Sequence, residues 1–160
     1  MYASGRGGIA KDEHEAERLY RLAADRGHKE AQYSLGWYYA HGSGGLAKDE
    51  REAARLYKLA ADQGYASAQT ELAWFYLHSS GGLATSEQDA ARLYRLAADQ
   101  GNASAQFNLG AFYEFGGGGL PKNEKEAVRL YRLAAGQGDA SAQHKLGVFY
   151  EVGRGGACKG

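Results

Sequence analysis

The sequence predicts an all-α chain folded as an α-solenoid: four 37-residue helix-turn-helix repeats, with partial repeats at both ends. The first observation behind this is a fixed period. Leu19, Leu56, Leu93 and Leu130 lie 37 residues apart, as do Tyr20, Tyr57, Tyr94 and Tyr131, and Gly27, Gly64, Gly101 and Gly138. A period in this range marks one helical pair copied and stacked. The second observation is the spacing inside a copy, where Ala53, Leu56, Tyr57 and Ala60 fall at i, i+3, i+4 and i+7, the apolar stripe of a helix. The third is where the 24 glycines stand: they recur at set places in each copy and are not scattered as in a linker.

Each copy opens on a helix-start signal. Asp12, Asp49, Ser86 and Asn123 are followed three residues later by Glu15, Glu52, Asp89 and Glu126, so a small polar residue and an acid stand ready to satisfy orphan N–H groups of a first turn. The same acids precede Arg18, Arg55, Arg92 and Arg129 by three residues, which predicts ion pairs of about 0.2–0.5 kcal/mol each on a solvated face. Gly27, Gly64, Gly101 and Gly138 end this first helix in the left-handed conformation. A second helix follows, with Ala68, Leu72, Phe75 and Tyr76 at helical spacing. It stops at Gly42, Gly116 and Gly153 in three copies and at Ser79 in the second. The loops then carry Gly44-Gly45-Leu46, Gly81-Gly82-Leu83 and Gly118-Gly119-Leu120. The leucine is expected to tuck into the core, and the glycine pair to supply positive φ.

The copies run 10–46, 47–83, 84–120 and 121–157. Residues 1–9 align as the tail of a preceding copy, with Tyr2 under Tyr39 and Gly5 under Gly42, and residues 157–160 enter a further loop. No polar capping repeat closes either end, so the chain is expected to be a piece of a longer protein. Open ends also make end-to-end self-association an expectation.

Composition excludes several classes. The net charge is +0, which argues against nucleic acid as a ligand, since phosphate binding needs a basic footprint. The single cysteine, Cys158, cannot form an internal disulfide framework. The first residues are polar and glycine-rich, unlike a signal peptide, and no apolar run has membrane-spanning length. Neither compartment nor oligomeric state follows from the residues.

The repeat resembles the Sel-one-like repeat family, a relative of the tetratricopeptide repeat. The segments that carry the likeness are ASAQFNLGAFYEFGGGGL at 103–120 and NEKEAVRLYRLAAGQG at 123–138, and the match runs in register through essentially the whole chain. Departures are Ala73, where the other copies have Gly36, Gly110 and Gly147, and Ser79, so the second copy is expected to pack or turn differently. The resemblance implies a right-handed, tetratricopeptide-like superhelix whose second helices line a concave face used to bind proteins. Carried over residue by residue, it places Tyr33, Trp37, His41, Thr70, Trp74, His78, Phe107, Phe115, His144 and Val148 on that face, with a polar rim of Glu30, Glu71, Asn108, Glu114, Lys145 and Glu151.

The residues agree on one point: these columns vary, while Ala31, Gln32, Leu35 and Tyr39 recur in every copy. Recurrence reads as packing and variation as freedom to recognise, and exposed aromatics are frequent anchors of protein interfaces. Against this, Trp37 and Trp74 are equally readable as core. The four glutamines at Gln32, Gln69, Gln106 and Gln143 read as structural, their amides expected near the first turn of the second helix. His41 and His78 stand one period apart, but Phe115 and Val152 follow them in the column and no HExxH or CxxC occurs, so metal binding is not expected. The glycine loops lack both a preceding strand and a GxxxxGK[ST] pattern, which disfavours a phosphate cradle. Some members of the resembled family are linked to β-lactams, but no Ser-x-x-Lys nucleophile is present. The expected function is therefore a non-catalytic protein or peptide interaction module, an adaptor without cofactor or metal. The alternative is a structural spacer or regulatory repeat domain attached to a catalytic domain in a larger bacterial protein.

Overall fold

The computed structural model describes residues 12–154, so the readings for residues 1–9 and for Cys158 lie outside the described residues. Eight α-helices of 13 residues follow one another: α1 Glu13–Asp25, α2 Lys29–His41, α3 Glu50–Asp62, α4 Ala66–His78, α5 Glu87–Asp99, α6 Ala103–Phe115, α7 Glu124–Gly136 and α8 Ala140–Val152. Each packs chiefly on its predecessor and successor, which makes the chain an α-solenoid of stacked pairs.

The helix starts follow the predicted caps. The side chains of Asp12, Asp49, Ser86 and Asn123 accept from the backbone N–H of Glu15, Glu52, Asp89 and Glu126. The i,i+3 ion pairs form in every copy, from 2.6 Å at Arg55–Glu52 and Arg129–Glu126 to 3.6 Å at Arg92–Asp89. Among the second helices, α6 and α8 are capped by Asn102 and Asp139, whereas His28 and Tyr65 at the start of α2 and α4 make no side-chain cap bond.

The loops after α2, α4 and α6 fold back onto the first helix of their own copy. A Cβ on Gly118 would fall 2.6 Å from the Cβ of Ala91 and 2.7 Å from the carbonyl oxygen of Glu87, so only glycine lets the loop approach this closely. Leu46, Leu83 and Leu120 pack against the buried clusters as expected. The second copy does turn differently: among the described residues Ser79 is the one non-glycine residue with positive φ, at 52°, and Ser80–Gly82 form a 3₁₀ turn.

The core is layered. Tyr57, Tyr94, Tyr131 and Phe149 are its largest fully buried side chains, set among alanines such as Ala53, Ala68, Ala90 and Ala105 that are wholly shielded from solvent. Burial raises the phenol pKa of Tyr57, Tyr94 and Tyr131 far above the ordinary value.

The recurring glutamines are structural, but not where the sequence placed their bonds. Gln32 Nε2 donates back to the carbonyl of Ala24 in the last turn of α1 at 3.4 Å, and its Oε1 accepts from Gln63 Nε2 of the next copy at 2.8 Å. The same bridge recurs at Gln69–Gln100 and Gln106–Gln137. The amide thus ties the end of one first helix to the end of the following one.

Candidate functional site

The second helices α2, α4, α6 and α8 carry the variable columns. Their apolar residues surround much of the helix circumference, so part of that surface must face either a neighbour or solvent. Trp37 and Trp74 face solvent, at 41% and 45% exposure. Each is stacked on the histidine one turn later: the Trp37 and His41 rings lie 4.2 Å apart and the Trp74 and His78 rings 4.0 Å apart, both nearly parallel. Each histidine Nδ1 donates to the carbonyl of its own tryptophan, at 2.9 and 2.8 Å. That bond sets the ring orientation, so His41 and His78 act as platforms for their indoles.

The other predicted residues divide. Phe115 is 69% exposed, with Lys145 Nζ 5.1 Å above its ring. His144 and Val148 are exposed on α8. Tyr33 and Phe107 are half-buried and spend their rings on the next copy: Tyr33 packs 5.7 Å from Tyr57 and 5.3 Å from Tyr65, and Phe107 lies 5.5 Å from Tyr131. Thr70 is half-buried, its hydroxyl donating to the carbonyl of Ala66. Of the predicted aromatic residues, Trp37, Trp74 and Phe115 are therefore the open ones.

Glu114, read as part of the polar rim, is 3% exposed. Tyr131 donates its phenol hydrogen to Glu114 Oε2 at 2.8 Å, and Lys145 Nζ stands 3.0 Å from the same carboxylate. A buried carboxylate needs such partners, and here both come from the following copy. Two of the sites are therefore joined: Lys145 bridges Glu114 and the Phe115 face.

At the corresponding place between the first and second copies the arrangement differs. Ala40 stands in the Glu114 column, His41 in the Phe115 column and Glu71 in the Lys145 column. A cavity of about 380 Å³ opens there, lined by these three with Tyr57, Trp74 and Phe75, and with Lys48 and Glu50 at its edge. Burial raises the pKa of Glu71, and His41 opposes that shift. Between the second and third copies the same columns hold Leu77, Asn108 and His78.

Recurring residues also make surface. Leu22, Leu59, Leu96 and Leu133 are identical in every copy yet each is 39% exposed or more. With the glutamine ladder, Leu59, Leu96 and Leu133 edge three equivalent hollows, one at each junction of the four copies, bounded by Tyr39, Tyr76 and Tyr113. Recurrence alone therefore did not mark burial, and these hollows were not foreseen from the residues.

The Sel1 repeat family matches five consecutive segments, residues 1–28, 29–65, 66–102, 103–139 and 140–159. Its phase pairs each second helix with the first helix that follows. Among solved structures, a protective antigen of uropathogenic Escherichia coli strains displaying an SLR fold superposes with a TM-score of 0.83 at 33% identity, covering 92% of this chain and 31% of the antigen. A Sel1 repeat protein from Oxalobacter formigenes superposes at 0.82 and 36% identity, covering 92% of this chain and 59% of the other. The Helicobacter pylori cysteine rich protein B, at 22% identity and TM-score 0.63, shares the fold. No curated protein matches the chain. The chain spans less than two thirds of the first two structures. Sel1 repeat proteins are generally protein-interaction modules on a scaffold that is typically non-catalytic. With five matched repeats and eight helices in stacked pairs, the chain belongs to the Sel1 repeat family.

Proposed function

We propose that the chain is a non-catalytic adaptor that binds a protein or peptide along the concave face formed by its second helices. The observation that carries this reading is the pair of tryptophans, Trp37 and Trp74, held at equivalent positions one period apart and each over 40% exposed. Tryptophan is ordinarily much buried in a soluble chain. Two rigid indoles braced by His41 and His78 are large, low-entropy contact surfaces of the kind that dominate interface energetics. Phe115 extends the same track, and His144 and Val148 complete it on α8. Tyr33 and Phe107 support the track from beneath by packing on the next copy.

The test is capture of binding proteins by the immobilised chain, compared with a Trp37→Ala/Trp74→Ala variant. Loss of the captured set, with the melting temperature held within a few degrees, supports the reading. Unchanged capture by the double variant overturns it.

A further inference from the structure

We infer that the cavity between the first and second copies receives a basic side chain, Lys or Arg, of a bound peptide, with Glu71 as its anion and the Trp74 and His41 rings as its walls. This rests on the adaptor reading and names the chemistry of its partner.

At the junction of the third and fourth copies a cation already sits in such a place. Lys145 Nζ is 3.0 Å from Glu114 and 5.1 Å from the Phe115 ring centroid, so an aromatic face and a shielded carboxylate hold one ammonium between them. The columns that build this site in the third and fourth copies build the cavity in the first and second. There the buried glutamate is replaced by Ala40, which removes four heavy atoms and leaves space. The lysine is replaced by Glu71, which reverses the charge contributed by the incoming helix. The aromatic wall is kept as His41 and strengthened by Trp74, one turn beyond Glu71 on α4.

The result is a cavity with a carboxylate and no cation assigned to it. Glu71 makes no hydrogen bond or ion pair within the described residues, while the other lining charges are already matched, Lys48 Nζ standing 2.8 Å from Glu50. The titratable groups around Glu71 are His41, Lys48, Glu50 and Tyr57 in the lining, with Tyr33 on α2 and Tyr94 on α5 also within its field. Of these, His41 Nδ1 is engaged by the carbonyl of Trp37, and Tyr57 is buried. A volume of about 380 Å³ accommodates one long side chain and suits no large cofactor. An acidic side chain would meet Glu71 directly. A neutral aliphatic one would fill the space but leave the carboxylate desolvated without a partner.

The experiment uses the ¹⁵N-labelled chain and four capped pentapeptides, Ac-Ala-Ala-Xaa-Ala-Ala-NH₂, in which Xaa is arginine, lysine, norleucine or glutamate. Binding is read from the Trp74 indole N–H and the backbone amides of Ala40 and His41. The arginine and lysine peptides should bind about tenfold or more tighter than the norleucine peptide, the scale of one charge-assisted contact. Glu71→Gln, which keeps the shape of the side chain, should abolish that preference while the rest of the amide spectrum is preserved. Equal binding of norleucine, tighter binding of glutamate, or an arginine preference that survives Glu71→Gln overturns the inference. If norleucine and arginine bind equally with shifts at Trp74, the basic pocket falls and the aromatic track stands. Absence of shifts with every peptide also removes the pocket, while the capture experiment with the tryptophan variant separately decides the adaptor reading.

Discussion

The ring of Tyr131 lies against Gly110, so close that a Cβ added to the glycine would sit 2.7 Å from the ring carbon Cε1. Gly36 meets Tyr57 in the same way, at 2.9 Å. The second copy has Ala73 at this place and tolerates it, wholly buried, and the reason lies one turn away. Where Tyr33 and Phe107 press on the next tyrosine from the side, the second copy has Thr70. The smaller side chain is expected to leave Tyr94 room to stand off from the alanine methyl. Gly110→Ala is therefore expected to destabilise by about 1–3 kcal/mol despite the better helix propensity of alanine, because Tyr131 is also held by Glu114 and cannot yield. Gly36→Ala should cost less, and Tyr33→Thr in the same chain should relieve it. A double-mutant cycle by urea unfolding, with a coupling of about 0.5 kcal/mol or more, checks the pairing.

Ser79 closes α4 with φ of 52°, where two of the other copies place a left-handed glycine. A side chain in that region costs about 1 kcal/mol relative to glycine. Ser79→Gly should raise stability by about 0.5–1 kcal/mol, net of losing the exposed hydrogen bond between the Ser79 and Thr85 hydroxyls. Chemical denaturation midpoints of the two proteins decide it, and a fall would show that the hydroxyl pair matters more than the backbone.

Gln32 is buried and its amide oxygen depends on Gln63. Gln63→Ala should cost about 1 kcal/mol by leaving that oxygen without its donor, and Gln32→Ala more, about 1–3 kcal/mol, since the bond to Ala24 is lost as well. Replacing both by leucine should recover most of the loss, because no shielded polar atom is then stranded. Thermal melts of the three variants order the effects.

Burial raises the pKa of Glu71, so the folded chain holds the proton on this carboxyl more tightly than the unfolded chain does. Below the ordinary carboxylate range the group is neutral in both states and costs nothing. As pH rises through and beyond that range, the unfolded chain gains the favourable charged form first and the folded state loses stability. Glu71→Gln should therefore raise the unfolding midpoint at pH 7 and leave it unchanged at pH 3. Urea titrations at the two pH values give the comparison, and a gain at pH 3 alone would reverse the assignment.

Most of the scaffold could be read from the residues because it is written locally. Asp49 and Glu52 mark a helix start, Gly64 marks its end, and Leu46 pins a loop, each signal standing at the turn or helix end that it sets. What escaped was set by partners in the following copy. Glu114 looks like a surface acid until Tyr131 and Lys145 are brought to it. Gln32 looks like a cap on its own helix until Gln63 arrives. Tyr33 and Phe107 share columns with recognisable surface residues, yet the following tyrosine covers half of each. Leu59 repeats faithfully and remains in view of solvent. The tryptophans could be placed on a helix but not on a side, since an indole serves a core or an interface equally well until the neighbouring rod is positioned.

The glutamine bridges reach from each copy only to the one beside it, always across 31 positions. A gene rearrangement that drops or doubles one whole unit therefore restores an equivalent joint at the seam, whereas a break inside a unit severs two. Such an array can gain or lose length in whole units without reinventing the fasteners.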